Sequence, residues 1–326
     1  MISRLPSWMR TPAFAALVLA PAGTELLTGN MPPFVFFFPP VLALVVVLYG
    51  GGAIIAHELI VRWGKGWPSL LALAIAYGVY EEGLLMRTFF DPQAGDIKPS
   101  GDYGRFYGVN SVEVLRLTMF HSVFAILIPL LLVSFLFPGK RRESWVSPRT
   151  FNILAGLILL ELPIGWLLRS YRPSVQSYLL CIGVVVALIG LARVLPAPSS
   201  TKEAGRGWER RLVVQGYFAN LLLFLFGWIL PATAIPWPIT VLLLITLALV
   251  VATRVIRGRF ATEGLLALAA GGLGFYASAG PILELIGRRG AVIVGIIALF
   301  LLVRLGRRVR RTTVLTPEAA GICLAA

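Results

Sequence analysis

Long apolar runs separated by short polar and basic connections are the main pattern of this chain. A helix needs about 20 apolar residues to cross the hydrocarbon core of a membrane, and most of the runs reach that length. The runs lack the period-2 alternation of barrel strands, so closed barrels do not explain them. We therefore predict an all-α, polytopic transmembrane helix bundle of about ten helices. The predicted helices cover residues 12–28, 34–60, 67–86, 112–137, 150–168, 176–195, 211–232, 238–256, 262–284 and 290–304.

The basic residues predict how this bundle is oriented. Connections on one side of the predicted bundle hold 21 Lys and Arg residues, and connections on the other side hold 7. Because cytoplasmic loops carry the excess of Lys and Arg, both termini are predicted to be cytoplasmic, in a multi-pass protein of the plasma (inner) membrane. A second interpretation of the first run stays open. Arg4, Arg10 and the following AFAALVLAPAG also fit a cleaved secretory signal peptide, which would leave nine helices.

Two long connections divide the chain. Residues 1–195 hold helices one to six, and within them the outer loop 87–111 mixes aromatic residues, glycines and both charge signs, as an ordered cap or lid would. Residues 196–210 are rich in Pro, Ser and Gly, which is typical of a flexible cytoplasmic linker. Helices seven to ten follow in 211–304, and 305–326 form a basic cytoplasmic tail.

Composition narrows the classes of partner. Hydrophobic residues make up 58% of the 326 positions and charged residues 13%, so the apolar surplus must face lipid. The net charge of +14 comes from short loops that set topology, and we predict no nucleic-acid partner. The predicted partners are membrane lipids, with anionic headgroups at the C-terminal run RLGRRVRR. Cys181 and Cys323 are too few for a disulfide framework or a thiolate metal site.

Ionisable residues inside apolar helices are the strongest functional signal, because a charge at mid-bilayer costs at least about 2.5 kcal/mol. Glu81 and Glu82 lie in predicted helix three, His121 in helix four and Glu161 in helix five. Counted at 1.5 Å per residue from the outer helix ends, these groups lie at similar depth. They predict one catalytic, proton-binding or substrate-binding layer near the outer face.

Consecutive residues on an α-helix point about 100° apart, so Glu81 and Glu82 are not expected to face one small site together. One is expected to face the bundle interior, and the other to pair with Arg87 or Arg116. With Glu161, these two arginines are the predicted supporting residues. Glu82, His121 and Glu161 lack diagnostic ligand spacing, so no metal and no cofactor is predicted.

The segment EEGLLMR, which begins at Glu81, resembles the CPBP family of intramembrane endopeptidases, which includes CaaX prenyl proteases and bacteriocin-processing proteins. In that family a Glu-Glu pair precedes an Arg, and later helices supply histidines. The resemblance implies that Glu81 activates a water molecule with His121 close by. Four residues separate Glu82 from Arg87, His121 directly follows a Phe, and no histidine follows position 121, unlike the family pattern.

Three functions remain open from the sequence. The leading hypothesis is a small-molecule or ion transporter that uses the Glu/His layer, with helices broken by Pro and Gly as moving parts. The alternatives are a CPBP-like intramembrane hydrolase, which would use the same residues, and a non-catalytic membrane assembly subunit. The glycines of YGGGA, AAGGLG and ASAG predict close helix packing.

Overall fold

The computed structural model describes residues 6–94, 101–197, 207–257 and 260–315. Most of the predicted linker 196–210 and residues 316–326 of the predicted tail lie outside the described residues. Within these ranges the chain is almost entirely helical, which confirms the all-α prediction. The helices are α1 (Pro12–Leu26), α2 (Pro33–Phe36), α3 (Pro39–Trp63), α4 (67–85), α5 (Ser111–Leu136), α6 (Pro148–Leu168), α7 (Val175–Val194), α8 (Arg210–Ala232), α9 (Trp237–Arg257), α10 (Thr262–Leu285) and α11 (Ala291–Leu315).

Seven helices of the described part, α3 and α5 to α10, are long and apolar enough to cross a membrane, which confirms a polytopic bundle. The other three predicted runs also form helices. Helix α1 is shorter, α4 is made less apolar by its two glutamates, and α11 continues through the basic run to Leu315. That these three also span the membrane stays a prediction.

Burial separates inner helices from peripheral ones. The apolar stretch of α3 is 50% buried inside the protein, and those of α5 and α10 are each 61% buried. The apolar stretches of α6 and α7 are each only 11% buried. Helices α6 and α7 therefore present most of their surface to lipid. Two tyrosine hydroxyls connect them to α4: Tyr80 donates to the carbonyl of Ile158 at 2.5 Å, and Tyr178 donates to the carbonyl of Leu84 at 2.7 Å.

The described part of the outer loop is folded against the helix ends. It contains a short antiparallel hairpin of β1 (Arg105–Phe106) and β2 (Val109–Asn110). The Arg105 guanidinium donates to the carbonyls of Phe90 and Gly108 at 2.7 and 2.8 Å. Asn110 then caps α5, since its side chain accepts the backbone N–H of Glu113. The loop thus fixes where α5 begins.

Helices α8 and α10 make backbone contact through glycine. A Cβ on Gly216 would lie 2.0 Å from the carbonyl oxygen of Leu268, and one on Gly271 would lie 2.0 Å from that of Val213. Only glycine lets the two backbones approach this closely. The packing role predicted for AAGGLG is confirmed at Gly271.

Replacing Gly271 with alanine is therefore expected to push α8 and α10 apart. The clash is with backbone, which cannot rotate away, so Gly271→Ala should destabilise the protein by about 1–3 kcal/mol. Gly274 on the same helix has open space around its Cβ position, and Gly274→Ala should be neutral or stabilising by up to about 1 kcal/mol. Thermal unfolding in detergent, followed by tryptophan fluorescence, measures both. Equal melting temperatures for the two variants would contradict the packing account.

Candidate functional site

Four inner helices each contain a π-helical turn where they approach one another. These turns are rare, frequently occur at functional sites, and widen the helix locally. They cover Ala22–Leu26 in α1, Val46–Gly51 in α3, Tyr80–Leu85 in α4 and Ser122–Leu127 in α5. Each turn contains or directly follows a buried acid, tyrosine or histidine, so the irregular backbone and the buried polar side chains coincide.

The imidazole of His121 lies between two carboxylates. Its Nδ1 is 2.8 Å from Oε2 of Glu81, and its Nε2 is 2.6 Å from Oε1 of Glu82. All three residues are almost completely buried, with at most 5% of their surface exposed. The structure therefore brings together the three residues that the sequence predicts as catalytic or proton-binding.

The expectation that Glu81 and Glu82 cannot share one small site is wrong. Both lie in a π-helical turn, whose extra residue per turn reduces the angle between neighbouring side chains. The two nitrogens of His121 also lie on different sides of one ring, so a single imidazole contacts both carboxylates. The 100° rule for an α-helix does not apply to this segment.

Close packing of α4 against α5 brings His121 within reach. A Cβ on Gly78 would lie 3.1 Å from both the Cα and the carbonyl oxygen of Thr118. Gly78 precedes Glu81 by one turn, and Thr118 precedes His121 by one turn. The missing side chain at Gly78 thus positions the site.

Three residues that the sequence did not single out extend this contact. The hydroxyl of Tyr49 lies 2.7 Å from Oε1 of Glu81 and also hydrogen-bonds the carboxylate of Glu25. At the other end, the hydroxyl of Thr88 donates to the carboxylate of Glu82. The groups form one continuous buried chain, in the order Glu25, Tyr49, Glu81, His121, Glu82 and Thr88. Glu25 carries the same signal as Glu81, an acid inside an apolar run, whereas no sequence pattern distinguishes Tyr49.

Counting hydrogens shows that this chain holds extra protons. The hydroxyl of Tyr49 supplies one hydrogen but lies between two carboxylates, so one of Glu25 and Glu81 must carry a proton for both contacts to be hydrogen bonds. Two hydrogens would likewise be needed for both contacts of His121 to be hydrogen bonds, and the contact with Glu81 is the poorly aligned one. Either an imidazolium or a neutral imidazole with one carboxylic acid would supply them. The two arrangements differ only by the position of one proton.

Further buried polar atoms surround the carboxylates. Both oxygens of Glu161 and the hydroxyls of Tyr77 and Ser122 have no hydrogen-bond partner among the described residues. Glu161 lies close enough to Glu81 and Tyr77 to interact with them electrostatically. The sequence-predicted layer therefore includes Glu161, although it does not contact His121 directly.

The ligand atoms of Glu81, Glu82 and His121 lie within 4.8 Å of one another, so the three could hold a metal ion. The imidazole between the carboxylates already lies within hydrogen-bonding distance of both. The sequence prediction of no metal and no cofactor stays a prediction.

The two supporting arginines do not pair with Glu81 or Glu82, contrary to expectation. Arg116 binds Glu113 at 2.5 Å and stacks over Trp228, and its charge acts on Glu82 only at longer range. The spacing of three residues between Glu113 and Arg116 would have identified that pair from sequence.

Arg87 binds backbone instead of a carboxylate. Its guanidinium donates to the carbonyl of Gly165 at 2.5 Å and to that of Tyr171 at 3.0 Å, and it stacks over Trp166. Its backbone has a φ of 62°, a left-handed conformation that residues other than glycine rarely adopt. It attaches the end of α6 to the turn that follows the site.

Tyr49→Phe should destabilise the protein while leaving its ring packing intact. The variant removes the hydroxyl between Glu25 and Glu81, and buried groups deprived of a hydrogen-bond partner cost about 1–3 kcal/mol. Thermal unfolding should therefore shift to lower temperature. The matched control is Tyr107→Phe, because Tyr107 is 89% exposed. An unchanged melting temperature for Tyr49→Phe would show that the hydroxyl is not part of the buried chain.

Arg87→Ala should also destabilise the protein, because it leaves the carbonyls of Gly165 and Tyr171 without their donor. We expect a loss of about 1–3 kcal/mol. The control is Arg172→Ala, which removes an exposed guanidinium that also stacks on Trp166. It should change the free energy of unfolding by less than about 0.5 kcal/mol. Thermal unfolding in the same detergent compares the two. If Arg172→Ala had the larger effect, stacking on Trp166 would be the dominant interaction.

Comparison with known proteins places this site in a protein family. No curated protein and no solved structure matches the chain. The sequence model of a family described as an uncharacterized membrane protein family matches residues 15–325, which is nearly the whole chain and includes the site. The protein therefore belongs to this uncharacterized membrane protein family.

Proposed function

We propose that the protein is a proton-coupled transporter of a small solute, in which Glu81, His121 and Glu82 hold the coupling proton. The observation that carries this proposal is the imidazole held between two buried carboxylates, 2.8 and 2.6 Å away. Ionisable groups at such depth typically mark proton or substrate pathways in membrane proteins. Histidine suits this role because each of its two ring nitrogens can bind or release a proton.

The continuous chain from Glu25 to Thr88 supports proton movement. Each neighbour in the chain is within hydrogen-bonding distance, so a proton can shift from group to group without crossing an apolar gap. The π-helical turns that carry these groups interrupt regular backbone hydrogen bonding, which makes small local rearrangements less costly. Alternating access moves one group of helices against another around a fixed site, and these turns lie where the four inner helices meet.

The closed contacts of His121 favour proton binding over hydrolysis. A general acid or base must reach the reacting group with a free nitrogen or oxygen. Both nitrogens of His121 and both oxygens of Glu81 already face a protein group. In this arrangement the cluster can keep or pass a proton, whereas action on a substrate water would require one contact to open.

A CPBP-like hydrolase is the second candidate, supported by one observation. The contact of Glu81 with His121 is the one that the family resemblance implies. The geometry of this contact is poor for a hydrogen bond, and Oε2 of Glu81 and Nδ1 of His121 are left without a well-aligned partner among the described residues. Only if the two atoms, now 2.8 Å apart, moved away from each other would a water molecule fit between them.

Electrical measurement on reconstituted protein tests the proposal. Liposomes that contain the protein are adsorbed on a solid-supported electrode under an imposed pH gradient, and solutes are added by class: amino acids, sugars, organic anions and organic cations. One class should produce a transient current that Glu81→Gln and His121→Asn abolish in protein that remains folded at the assay temperature. Glu143→Gln, at a carboxylate that is 53% exposed, is the control and should retain the current.

Three results would overturn the proposal. A current that persists in Glu81→Gln would remove the cluster from proton coupling. Cleavage of membrane-embedded peptides that depends on Glu81, without any solute-dependent current in wild type, would establish the hydrolase. Variants that only lose thermal stability, with neither activity in wild type, would favour the assembly subunit.

A further inference from the structure

A cavity lies on the opposite side of α5 from the carboxylate cluster. It has a volume of about 400 Å³ and is bounded by α5, α8, α9 and α10. Met119 and Val123, two residues to either side of His121, line this cavity, whereas His121 faces α4. The cavity is therefore separate from the proposed transport site, and a ligand bound in it would not depend on transport.

We propose that this groove binds one acyl chain of an anionic phospholipid whose headgroup lies beside Arg254, Trp67 and Gln215. The walls are almost entirely apolar side chains, so an apolar chain would lose no hydrogen bonds on entering. The groove is half open, and lipid tails are the apolar molecules available at that depth of a membrane.

Three of the polar side chains of the groove lie at one end, whereas Asn220, further along, donates to the carbonyl of Gly216 in its own helix at 3.0 Å. Trp67 begins α4, Gln215 lies in the second turn of α8, and Arg254 lies in the last turn of α9. The indole Nε1 of Trp67 and Oε1 of Gln215 are buried without a hydrogen-bond partner among the described residues. Arg254 makes no ion pair within the described ranges. A phosphate would accept from the indole and the guanidinium, and a headgroup hydroxyl would donate to the glutamine.

The length of the groove matches one leaflet. Along α5 the lining extends from Leu131 back to Met119, which is about 18 Å at 1.5 Å per residue. Along α8 it extends from Gln215 to Leu223, about 12 Å. One leaflet contributes about 15 Å of hydrocarbon, half of the 30 Å core. A single acyl chain with its headgroup at the polar end therefore fits these dimensions.

The surrounding charge selects an anionic lipid of the cytoplasmic leaflet. Helix α8 begins with Arg210 and Arg211, next to the polar end of the groove. This is the side on which the sequence places its excess of Lys and Arg. Anionic lipids are enriched in the cytoplasmic leaflet, where basic residues near the surface attract them. The proposed headgroup site thus lies on the predicted cytoplasmic side.

Native mass spectrometry of the full chain in detergent, titrated with phosphatidylglycerol or phosphatidylcholine, tests the proposal. Wild type should retain one phosphatidylglycerol in preference to phosphatidylcholine. Arg254→Gln should bind phosphatidylglycerol about fivefold more weakly, the effect of one basic residue. Arg149→Gln, an exposed residue in the first turn of α6 on the same predicted side and outside the groove lining, should bind like wild type. Ala219→Phe should fill the groove and lose both lipids.

Several outcomes would overturn the proposal. Equal retention of both lipids by wild type, unchanged in Arg254→Gln, would remove the anionic headgroup from the site. An equal loss in Arg149→Gln and Arg254→Gln would indicate general attraction of lipid to a basic surface. Full retention by a folded Ala219→Phe would show that the chain does not occupy the groove. If Ala219→Phe does not fold, the comparison of the two arginine variants decides alone.

Discussion

A polar side chain surrounded by lipid must find its partners within the same chain, and this constraint organises the inner bundle. Four helices meet where their buried acids, tyrosine and histidine hydrogen-bond one another. No single helix can satisfy these groups, because each carboxylate needs a donor from a neighbouring helix. The polar chain from Glu25 to Thr88 therefore acts as the specific contact that selects one arrangement among the many that apolar helices permit.

The sequence predicted the helices well because apolar length is a local property. Every predicted run forms a helix, and the layer of Glu81, Glu82 and His121 followed from counting residues along each helix. The packing of Gly271 was also evident, since small residues in an apolar helix have few other uses. The depth of a residue in the membrane does not determine the direction in which its side chain points from the helix axis, so the sequence could not predict that direction.

The wrong predictions have separate physical causes. The rotation of 100° per residue assumes a regular α-helix, and a π-helical turn breaks that assumption without any clear sequence signal. Glu25 was missed because it lies near the end of a short apolar run, where an acid is easily explained as an interfacial residue. Arg87 was expected to seek a carboxylate, but backbone carbonyls at a helix end are equally good acceptors and carry no sequence pattern.

The attachment of α6 has a consequence for how its sequence can vary. Tyr80 and Arg87 hold this helix through the carbonyls of Ile158 and Gly165, and every amino acid supplies the same carbonyl. Exchange of an exposed side chain of α6, such as Leu159 or Leu160, therefore leaves both bonds in place. The lipid-facing surface of α6 is thus free to adapt to membranes of different composition while the helix keeps its position beside the site.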